Sequence, residues 1–366
     1  MVIVHIQLNG SLESFARVRQ RWPGRIDTMD IVTQGLLGAA LAQAAAPPSQ
    51  SRAATVVGFC AGVLPDADAL LRSSADPLLF LDWHRHFTHA LAFVPAGALI
   101  ASILLAPFYL RPLGATRLYG YAFLGYALSG LLDACTSYGT HLWWPFSDER
   151  VAWRIISIVD PIFSGILLVG VVAVSWRTRA RSARVALALC GLYLAFGLHQ
   201  HDRALSIAHA LAAERGHAPA RLLVKPTFAN LVLWRSLYVV DDEIYADAVR
   251  IVPLAEHQLY RGEHQNLIRS SSLGDWGGTN VLARIDFERF ARFADGWVVR
   301  HPSRPQLLGD ARFALLPNSL QPLWGIEAPA EETGHARFVT EREFTPVMRS
   351  RFLAMLLGRG DNLQEY

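Results

Sequence analysis

The sequence predicts an all-α multi-span membrane domain followed by a smaller soluble α+β domain that is mostly β. Hydrophobic residues make up 52% of the chain and charged residues only 18%, which is too apolar for an ordinary soluble protein. Long uncharged runs occur up to about residue 200, whereas Arg, Asp, Glu and Pro are evenly interspersed from His201 onward. We therefore expect an N-terminal segment (1–28), a membrane domain (29–200) and a soluble domain (201–366).

Six apolar segments are expected to form the membrane helices. The clearest, Ala90–Leu110, carries no charged residue and has the length of roughly 20 residues that a bilayer-crossing helix needs. Several of the others are short, so that each could equally be a buried core helix. Small residues such as Gly35 and Gly38 favour close packing between these helices. The other five segments are Ile31–Ala46, Ala53–Leu71, Leu118–Ala134, Ile158–Trp176 and Val185–Leu198.

The region after His201 carries short runs of β-branched and aromatic residues, which favour strands. Residues such as Pro226, Gly296 and Pro317 break these runs and indicate turns. The segment Val347–Leu357 is typical of a final helix. The predicted strands are Leu222–Val224, Leu231–Leu233, Leu237–Val240, Trp297–Val299, Phe313–Leu316 and Phe338–Thr340.

Arginines between the apolar segments predict how the spans are oriented, because positively charged loops lie on the cytoplasmic side. The loop arginines are Arg111 and Arg117 in one loop, and Arg177, Arg179, Arg181 and Arg184 in another. Six spans then place residues 66–88, 134–157 and everything after 200 on the outer side. The N-terminal arginines conflict with this orientation unless translation begins at Met29. The residues that fall at one membrane face are Asp66, Asp68, His84, His86, His89, Asp133, His141 and Asp160.

The composition also argues against several classes of function. The net charge is only +3, and the sequence has no dense Lys/Arg block with interleaved aromatic residues, so no nucleic-acid-binding surface is expected. A Gly-rich phosphate loop, a Gly-x-Ser-x-Gly elbow and a His-Glu-x-x-His motif are all missing from the sequence. The remaining candidates for chemistry are the Asp and His residues at the ends of the apolar segments.

Asp66 and Asp68 end the second apolar segment. Carboxylates at i and i+2 do not share one face of a regular helix, but at a helix end both can face one cation. Ionised carboxylates near hydrocarbon need a cation, hydrogen-bond donors or water. The alternative is a solvated cap after a membrane span.

Three histidines precede the clearest apolar segment, within Asp82-Trp83-His84-Arg85-His86-Phe87-Thr88-His89. Imidazoles are common metal ligands, and His84 and His89 can converge if a helix begins between them. His86 is expected to support the site or to lie at the surface, and Arg85 could hold a phosphate group. The alternative is a set of interfacial residues at headgroup depth, with Arg85 contacting lipid phosphate.

Asp133 ends the otherwise uncharged stretch from Leu118, and an acid in such a position is a functional candidate. His141 and Asp160 are less certain members of the site. His141 lies in the aromatic run Tyr138–Phe146, which could be an interfacial belt. Asp160 precedes a proline at the start of an apolar segment and could be a helix N-cap.

These motifs, taken in order, resemble a known family, the YdjM-like membrane-bound metal-dependent hydrolases, and the sequence is similar to its longer members, which carry a C-terminal extension. The resemblance covers roughly residues 29–165 and fits a start at Met29. The matching stretches are Met29–Gly35, Gly62–Asp68, His84–His89, Leu131–Thr140 and Trp144–Ser147. Three positions depart from the pattern: Gln34 stands where many members have His, His86 where many have Gly, and Ser129 near where a His often precedes the matched Asp.

The resemblance implies a helical protein of the bacterial inner membrane whose metal, most plausibly zinc, is held by Asp and His. The matching ligand positions are Asp66, Asp68, His84, His89 and Asp133, with His86, His141 and Asp160 less certain. The expected function is hydrolysis at the outer, periplasmic face, where one or two divalent ions would activate water against a phosphoester or other ester of a lipid-like substrate. The soluble domain is expected on the same face.

Two other functions use the same residues differently. A non-hydrolytic transporter or metal-handling protein would place some of the acids along a path through the membrane. A structural anchor for the soluble domain would leave the Asp and His residues apart. Hydrolysis instead predicts that Asp66, His84, His89 and Asp133 meet in one site.

Overall fold

The structure is a computed structural model that describes residues 31–73, 75–177, 180–329, 333–341 and 343–359, without the side chains of 175–177. It consists of a helical region from Ile31 to Glu214 followed by a region built mainly from two antiparallel sheets. This confirms the predicted fold class. The predicted segment 1–28, the start at Met29 and the side chains of Arg177 and Arg179 lie outside the described residues.

Helices occur at all six predicted apolar segments. Three stretches of the described chain are long and apolar enough to cross a membrane, namely Pro48–Leu70, Leu91–Leu113 and Arg181–Glu214. Ile31–Ala45 and Pro161–Val174 are shorter apolar helices. The helices are α1 Ile31–Ala45, α2 Ser51–Val63, α3 Leu79–Trp83, α4 Val94–Leu113, α5 Ala115–Ala127, α6 Ser129–Ala134, α7 Pro161–Arg177 and α8 Arg181–Glu214.

The fourth predicted segment, Leu118–Ala134, is not one continuous helix. The backbone leaves the helical conformation at Leu128, with φ −102° and ψ 0°, so that α5 and α6 are separate. The break lets Gly130 pack directly against the backbone of His89, where any side chain would collide. Asp133 therefore lies on a short helix of its own, beside the His-rich loop.

Glycines bring α1, α2 and α5 into backbone contact. A side chain at Gly38 would collide with the carbonyl oxygen of Gly58, and one at Gly125 with the same oxygen. Ala39 and Ala40 are fully buried beside these contacts. The small residues predicted to allow close packing therefore do so. This packing fixes the end of α2, from which the 3₁₀ helix Leu64–Leu70 continues.

The last long helix is much longer than its apolar part. The segment predicted as Val185–Leu198 is part of α8, which continues to Glu214 through the boundary expected near residue 200. One face of its polar half is covered by the first sheet, because Ala204 and Ala208 pack with Trp234 and Val249. Gln200 also donates to the carbonyl oxygens of two residues that flank strands of that sheet.

The described residues of the C-terminal region form nine strands and two α-helices. In the first sheet the strands lie in the order β1-β2-β3-β4, with β5 also paired to β3, and in the second the order is β6-β7-β8-β9. All pairs are antiparallel. The elements are β1 Arg221–Pro226, β2 Leu233–Val240, β3 Glu243–Arg250, β4 Gln258–Tyr260, β5 His264–Asn266, α9 Val281–Phe293, β6 Val298–His301, β7 Arg304–Asp310, β8 Trp324–Glu327, β9 Arg337–Thr340 and α10 Pro346–Leu357.

Four of the six predicted strands and the final helix coincide with observed elements. The other two strand predictions were wrong: Leu231–Leu233 only reaches the first residue of β2, and Phe313–Leu316 is an irregular segment with a single β-bridge, from Ala314 to Pro322. The apolar side chain of Phe313 serves the packing of the two regions, since its ring stacks on Tyr138 of the helical region with centroids 4.6 Å apart. The amphipathic helix α9 was not predicted.

The C-terminal region packs directly on loops of the helical region. Leu78 and Leu81 belong to the same buried cluster as Phe290 and Trp324. Arg289 of α9 donates from both terminal nitrogens to Asp76, each at 2.9 Å, and from one of them to Asp82 at 2.6 Å. The sheets therefore cover the same ends of the helices that carry the Asp and His residues.

Candidate metal centre

Four separate elements carry the predicted site residues. Asp66 and Asp68 lie on the 3₁₀ helix that follows α2. His84 ends α3, and His89 lies on the 3₁₀ turn Phe87–His89 just before α4. Asp133 lies on α6. All five side chains are buried, with exposed fractions of 8% or less.

Three of these residues meet at a single point. Nε2 of His89 lies 3.0 Å from Oδ2 of Asp133 and 3.6 Å from Oδ1 of Asp66. One ligand atom from each of the three residues lies within 4.8 Å of the others. We call Asp66, His89 and Asp133 the central trio.

The central trio fits a metal ion by its chemistry and spacing. Within the described part of the chain, both oxygens of Asp66, Nε2 of His89 and Oδ2 of Asp133 are buried and make no hydrogen bond of regular geometry, so that they face mainly one another. Buried polar atoms without partners are rare and costly in folded proteins. Ligands of a tetrahedral zinc ion at about 2.0–2.2 Å lie roughly 3.3–3.6 Å apart, close to the separations from His89. The same atoms therefore have both the need for a cation and the spacing to hold one.

The charge around His89 points the same way. Burial by itself would lower the pKa of His89, but the carboxylates of Asp133, Asp66 and Asp68 outweigh burial and raise the pKa well above its usual value. A buried imidazole among three carboxylates favours positive charge at its centre. Either a proton on His89 or a divalent cation between the three residues would supply that charge.

Asp68 differs from Asp66, because both of its oxygens are already used. Oδ1 contacts Nδ1 of His84 at 2.7 Å, and Oδ2 accepts from the amide of Arg85 at 2.9 Å and from the hydroxyl of Thr88 at 2.6 Å. Oδ2 also lies 3.4 Å from Nδ1 of His89. Asp68 thus fixes the His-rich loop and orients the ring of His89, as carboxylates commonly do for metal-binding histidines.

His84 lies next to the trio but outside it. Its ring centroid is 6.4 Å from that of His89, and its Nδ1 is engaged by Asp68. The structure therefore brings together all five main predicted residues, with the three of the trio at the centre and the Asp68–His84 pair beside them. The number of these that bind metal stays a prediction.

Arg85 is held inside the site rather than at the surface. Its side chain lies over the ring of Tyr138, 5.2 Å from the centroid, and Nε is 3.3 Å from Oδ2 of Asp133. Its φ of +60° is strained for an arginine, and its carbonyl oxygen accepts from the amide of His141 and the hydroxyl of Thr140. The terminal nitrogens have no hydrogen-bond partner among the described residues, so they remain available to an anionic group.

Two positions that depart from the family pattern lie against the site. Gln34 is buried and donates from Nε2 to Oδ1 of Asp133 at 3.1 Å. Gln34 therefore holds the oxygen of Asp133 that does not face His89. Ser129 instead donates to the carbonyl oxygen of Gly62 at 3.1 Å, which ties α6 to the end of α2.

The three less certain candidates lie apart from the trio. His86 and His141 stack near each other with centroids 4.6 Å apart, and Nε of Arg150 donates to Nε2 of His141 at 3.3 Å. Asp160 caps α7 by accepting from the amides of Ile162 and Phe163 at 3.1 and 3.0 Å. Its other oxygen accepts from the hydroxyl of Tyr193.

Sequence reasoning missed two contributors to the geometry of the site. Gly130 permits the contact between α6 and the backbone of His89. Tyr138 lies under Arg85 and stacks on the C-terminal region. The aromatic run that contains Tyr138 carried a signal, but it was attributed to a membrane interface, whereas Tyr138 is only 5% exposed.

Comparison with known proteins links the helical region to a family. A family model described as "YdjM inner membrane protein" matches residues 29–204, which contain the whole helical site. Neither the curated proteins nor the solved structures include a match to this chain.

Proposed function

Because residues 29–204 match the model of the YdjM inner membrane protein family, we propose that this chain is a membrane-bound metal-dependent hydrolase. Its substrate would be a phosphoester or other ester of a lipid-like molecule at the membrane–water interface. The observation that carries the proposal is the central trio, in which two carboxylates and an imidazole are buried and offer ligand atoms within 4.8 Å of one another.

The trio residues would hold the ion, and the residues around them would fix its ligands. Gln34 restrains Oδ1 of Asp133, and Asp68 restrains the Nδ1 side of His89. Oδ2 of Asp133 and Nε2 of His89 therefore face the centre of the trio. Three protein ligands are typical of catalytic zinc sites, which keep a further position open, whereas structural sites use four. When bound, such an ion supplies Lewis-acid activation of water and stabilises developing negative charge.

Arg85 is placed to assist the same chemistry. Its terminal nitrogens are donors without hydrogen-bond partners in the described structure, next to Asp133. Guanidinium groups bind phosphate and carboxylate oxygens through paired hydrogen bonds, and donors fixed in advance stabilise a charge that develops during reaction. We therefore assign Arg85 the role of binding the ester group.

The position of the site along the chain supports a lipid-like substrate. Asp66 lies in the last turn of the candidate span Pro48–Leu70, and His89 lies two residues before the span Leu91–Leu113. The ends of two apolar helices therefore meet at the trio. A site at such a place is close to lipid headgroups, whichever side of the membrane it faces.

The proposal can be tested by hydrolysis assays on the purified full chain. Chromogenic phosphodiesters, chromogenic acyl esters and phospholipids in mixed micelles would be compared with and without a chelator. We expect activity on at least one class, lost in chelator, restored by zinc and lost in His89→Ala. The matched control is His209→Ala, an exposed histidine of α8 far from the trio in sequence. Activity that His89→Ala retains would count against the proposal.

A transporter or metal-handling protein is the second candidate, favoured by the burial of all three trio residues. Exposed fractions of 5%, 2% and 0% suit an ion that is held away from water within a membrane protein. Metal flux in proteoliposomes separates the two functions. Metal-dependent flux without hydrolysis of any of the three substrate classes would favour this second candidate.

A further inference from the structure

A large cavity lies between the helical region and the C-terminal region, apart from the trio. Its volume is about 780 Å³, within the range of sites for small molecules and cofactors. None of the three trio residues lines it, but His86 and His141 do. Its most frequent charged residue is arginine: the lining includes Arg150, Arg154, Arg289, Arg292 and Arg312.

Two of these arginines are paired with acids, Arg289 with Asp76 and Asp82, and Arg312 with Asp310. The other three have no ion-pair partner among the described residues. Arg292 is exposed, so that solvent screens its charge, whereas Arg150 and Arg154 are partly buried.

The contacts of these two arginines are made with neutral groups. Arg150 donates to His141 and to the carbonyl oxygen of His84, and its guanidinium lies over Phe293 at 5.0 Å. Among the described residues, Arg154 donates only to the carbonyl oxygen of Ala152, and its buried Nε has no hydrogen-bond partner. Burial first, and then the neighbouring cation of Arg312, lower the pKa of both arginines to about 10.

The acidic residues of the same cavity do not neutralise this pair. Asp82 is engaged by Arg289, and Asp295 by Arg221. Asp148 and Glu149 are exposed, so that solvent screens their charge. A partly buried, unpaired guanidinium is unfavourable unless an anion accompanies it.

We propose that this cavity is a binding site for a phosphate group, held by Arg150 and Arg154. Guanidinium groups match the geometry of phosphate oxygens and form charge-assisted hydrogen bonds with them. The volume is large enough for a phosphorylated small molecule or for the headgroup of a phospholipid. Trp153, which also lines the cavity and is 43% exposed, is of the residue type that lies at headgroup depth. This site goes beyond the proposed hydrolase function, since it requires neither a metal ion nor a reaction.

The test is a binding titration of the full chain, purified in a detergent without phosphate. The three probes are inorganic phosphate, a short-chain phosphatidic acid and a short-chain phosphatidylcholine. We expect saturable binding that Arg150→Gln and Arg154→Gln each weaken by about tenfold or more. Arg284→Gln is the matched control, because Arg284 is exposed on the same helix, α9, as two arginines of the cavity but does not line it.

The three probes identify the source of the phosphate. Binding of inorganic phosphate means that the phosphate group alone suffices, and binding of only the lipids means that the occupant is a phospholipid. Arg154→Gln is the more informative variant, since Arg154 contacts only a backbone carbonyl whereas Arg150 touches the loop of His84. Arg154→Lys should keep part of the affinity.

Metal content measured on the same samples separates this site from the trio. We expect Arg154→Gln to bind as much metal as the wild type while it loses phosphate affinity. If no probe binds, or if both arginine variants bind as tightly as the wild type, the phosphate site is overturned, and the metal centre is unaffected by that result.

Discussion

Gly130→Ala is the substitution with the most specific expected effect on the metal centre. A methyl carbon built on Gly130 would lie 3.0 Å from the carbonyl carbon of His89 and closer still to its oxygen. Because carbon atoms prefer separations of about 3.5–4.0 Å, the backbone of His89 must move by about 1 Å to make room. His89 carries the only nitrogen of the trio, so this movement displaces a ligand directly.

The expected loss of metal affinity follows from how little displacement of a ligand a metal site tolerates. A displacement of that size should weaken metal binding by about 10–100-fold, the range seen when the support of a ligand is lost. Overpacking should also lower the free energy of unfolding by about 1–3 kcal/mol. Both quantities can be measured, the first by competition with a chromogenic chelator and the second by thermal unfolding in detergent.

A control on the neighbouring helix isolates the steric effect. A methyl group added at Gly120 of α5 would meet no atom within 4 Å, so Gly120→Ala should leave metal affinity unchanged. Since alanine favours a helix over glycine by about 1 kcal/mol, this variant should be slightly more stable. Wild-type metal affinity in Gly130→Ala would refute the reasoning, because the contact with His89 would then not control the ligand.

Three further substitutions test other parts of the account. Gln34→Ala removes the amide that restrains Asp133 and should weaken metal binding by about 10-fold in the chelator competition, whereas unchanged affinity would show that Gln34 does not support the site. Arg289→Met leaves Asp76 without its partner and should lower the free energy of unfolding by about 2 kcal/mol and speed proteolysis between the two regions; an unchanged protein would contradict a role for this ion pair in docking. Burial, together with Arg150 and His86, lowers the pKa of His141 to about 4. The folded state therefore binds this proton less tightly than the unfolded state, and the free energy of unfolding should fall by about 1 kcal/mol between pH 7 and pH 5. His141→Gln should lose that part of the pH dependence, and an identical profile in both proteins would count against it.

The helical half of the fold was predictable because apolar length is a strong signal. All six predicted segments contain helices. The errors come from tertiary contacts that override local pattern. The second half of α8 is polar enough to suggest a domain boundary, yet it is helical because its small residues pack on a sheet. Phe313 suggested a strand, but its ring is buried against Tyr138.

The site was predictable in membership but not in arrangement. The positions of the acids and histidines at helix ends indicated Asp66, Asp68, His84, His89 and Asp133, and the structure brings them together. Spacing along the chain cannot show that hydrogen bonds occupy both oxygens of Asp68, whereas those of Asp66 are left to bind a metal ion. That distinction depends on Thr88 and on the amide of Arg85, whose positive φ no motif reveals.

The phosphate cavity had no sequence signal at all. Arg150 and Arg154 are close in sequence, but the other arginines of the cavity come from the C-terminal region, more than a hundred residues later. Only the packing of the two regions places them around one space. The same packing partly buries Arg150 and Arg154 and leaves them without carboxylate partners in the described structure.

The central claim is that Asp66, His89 and Asp133 hold a divalent ion, and metal content tests it most directly. The wild type, His89→Ala, Asp133→Asn and the control His209→Ala would be equilibrated with zinc, dialysed and analysed by elemental mass spectrometry. We predict about one ion per chain in the wild type and in His209→Ala, with little or none in the two trio variants. Equal metal content in all four proteins, or none in the wild type, would contradict the assignment of the trio as a metal centre.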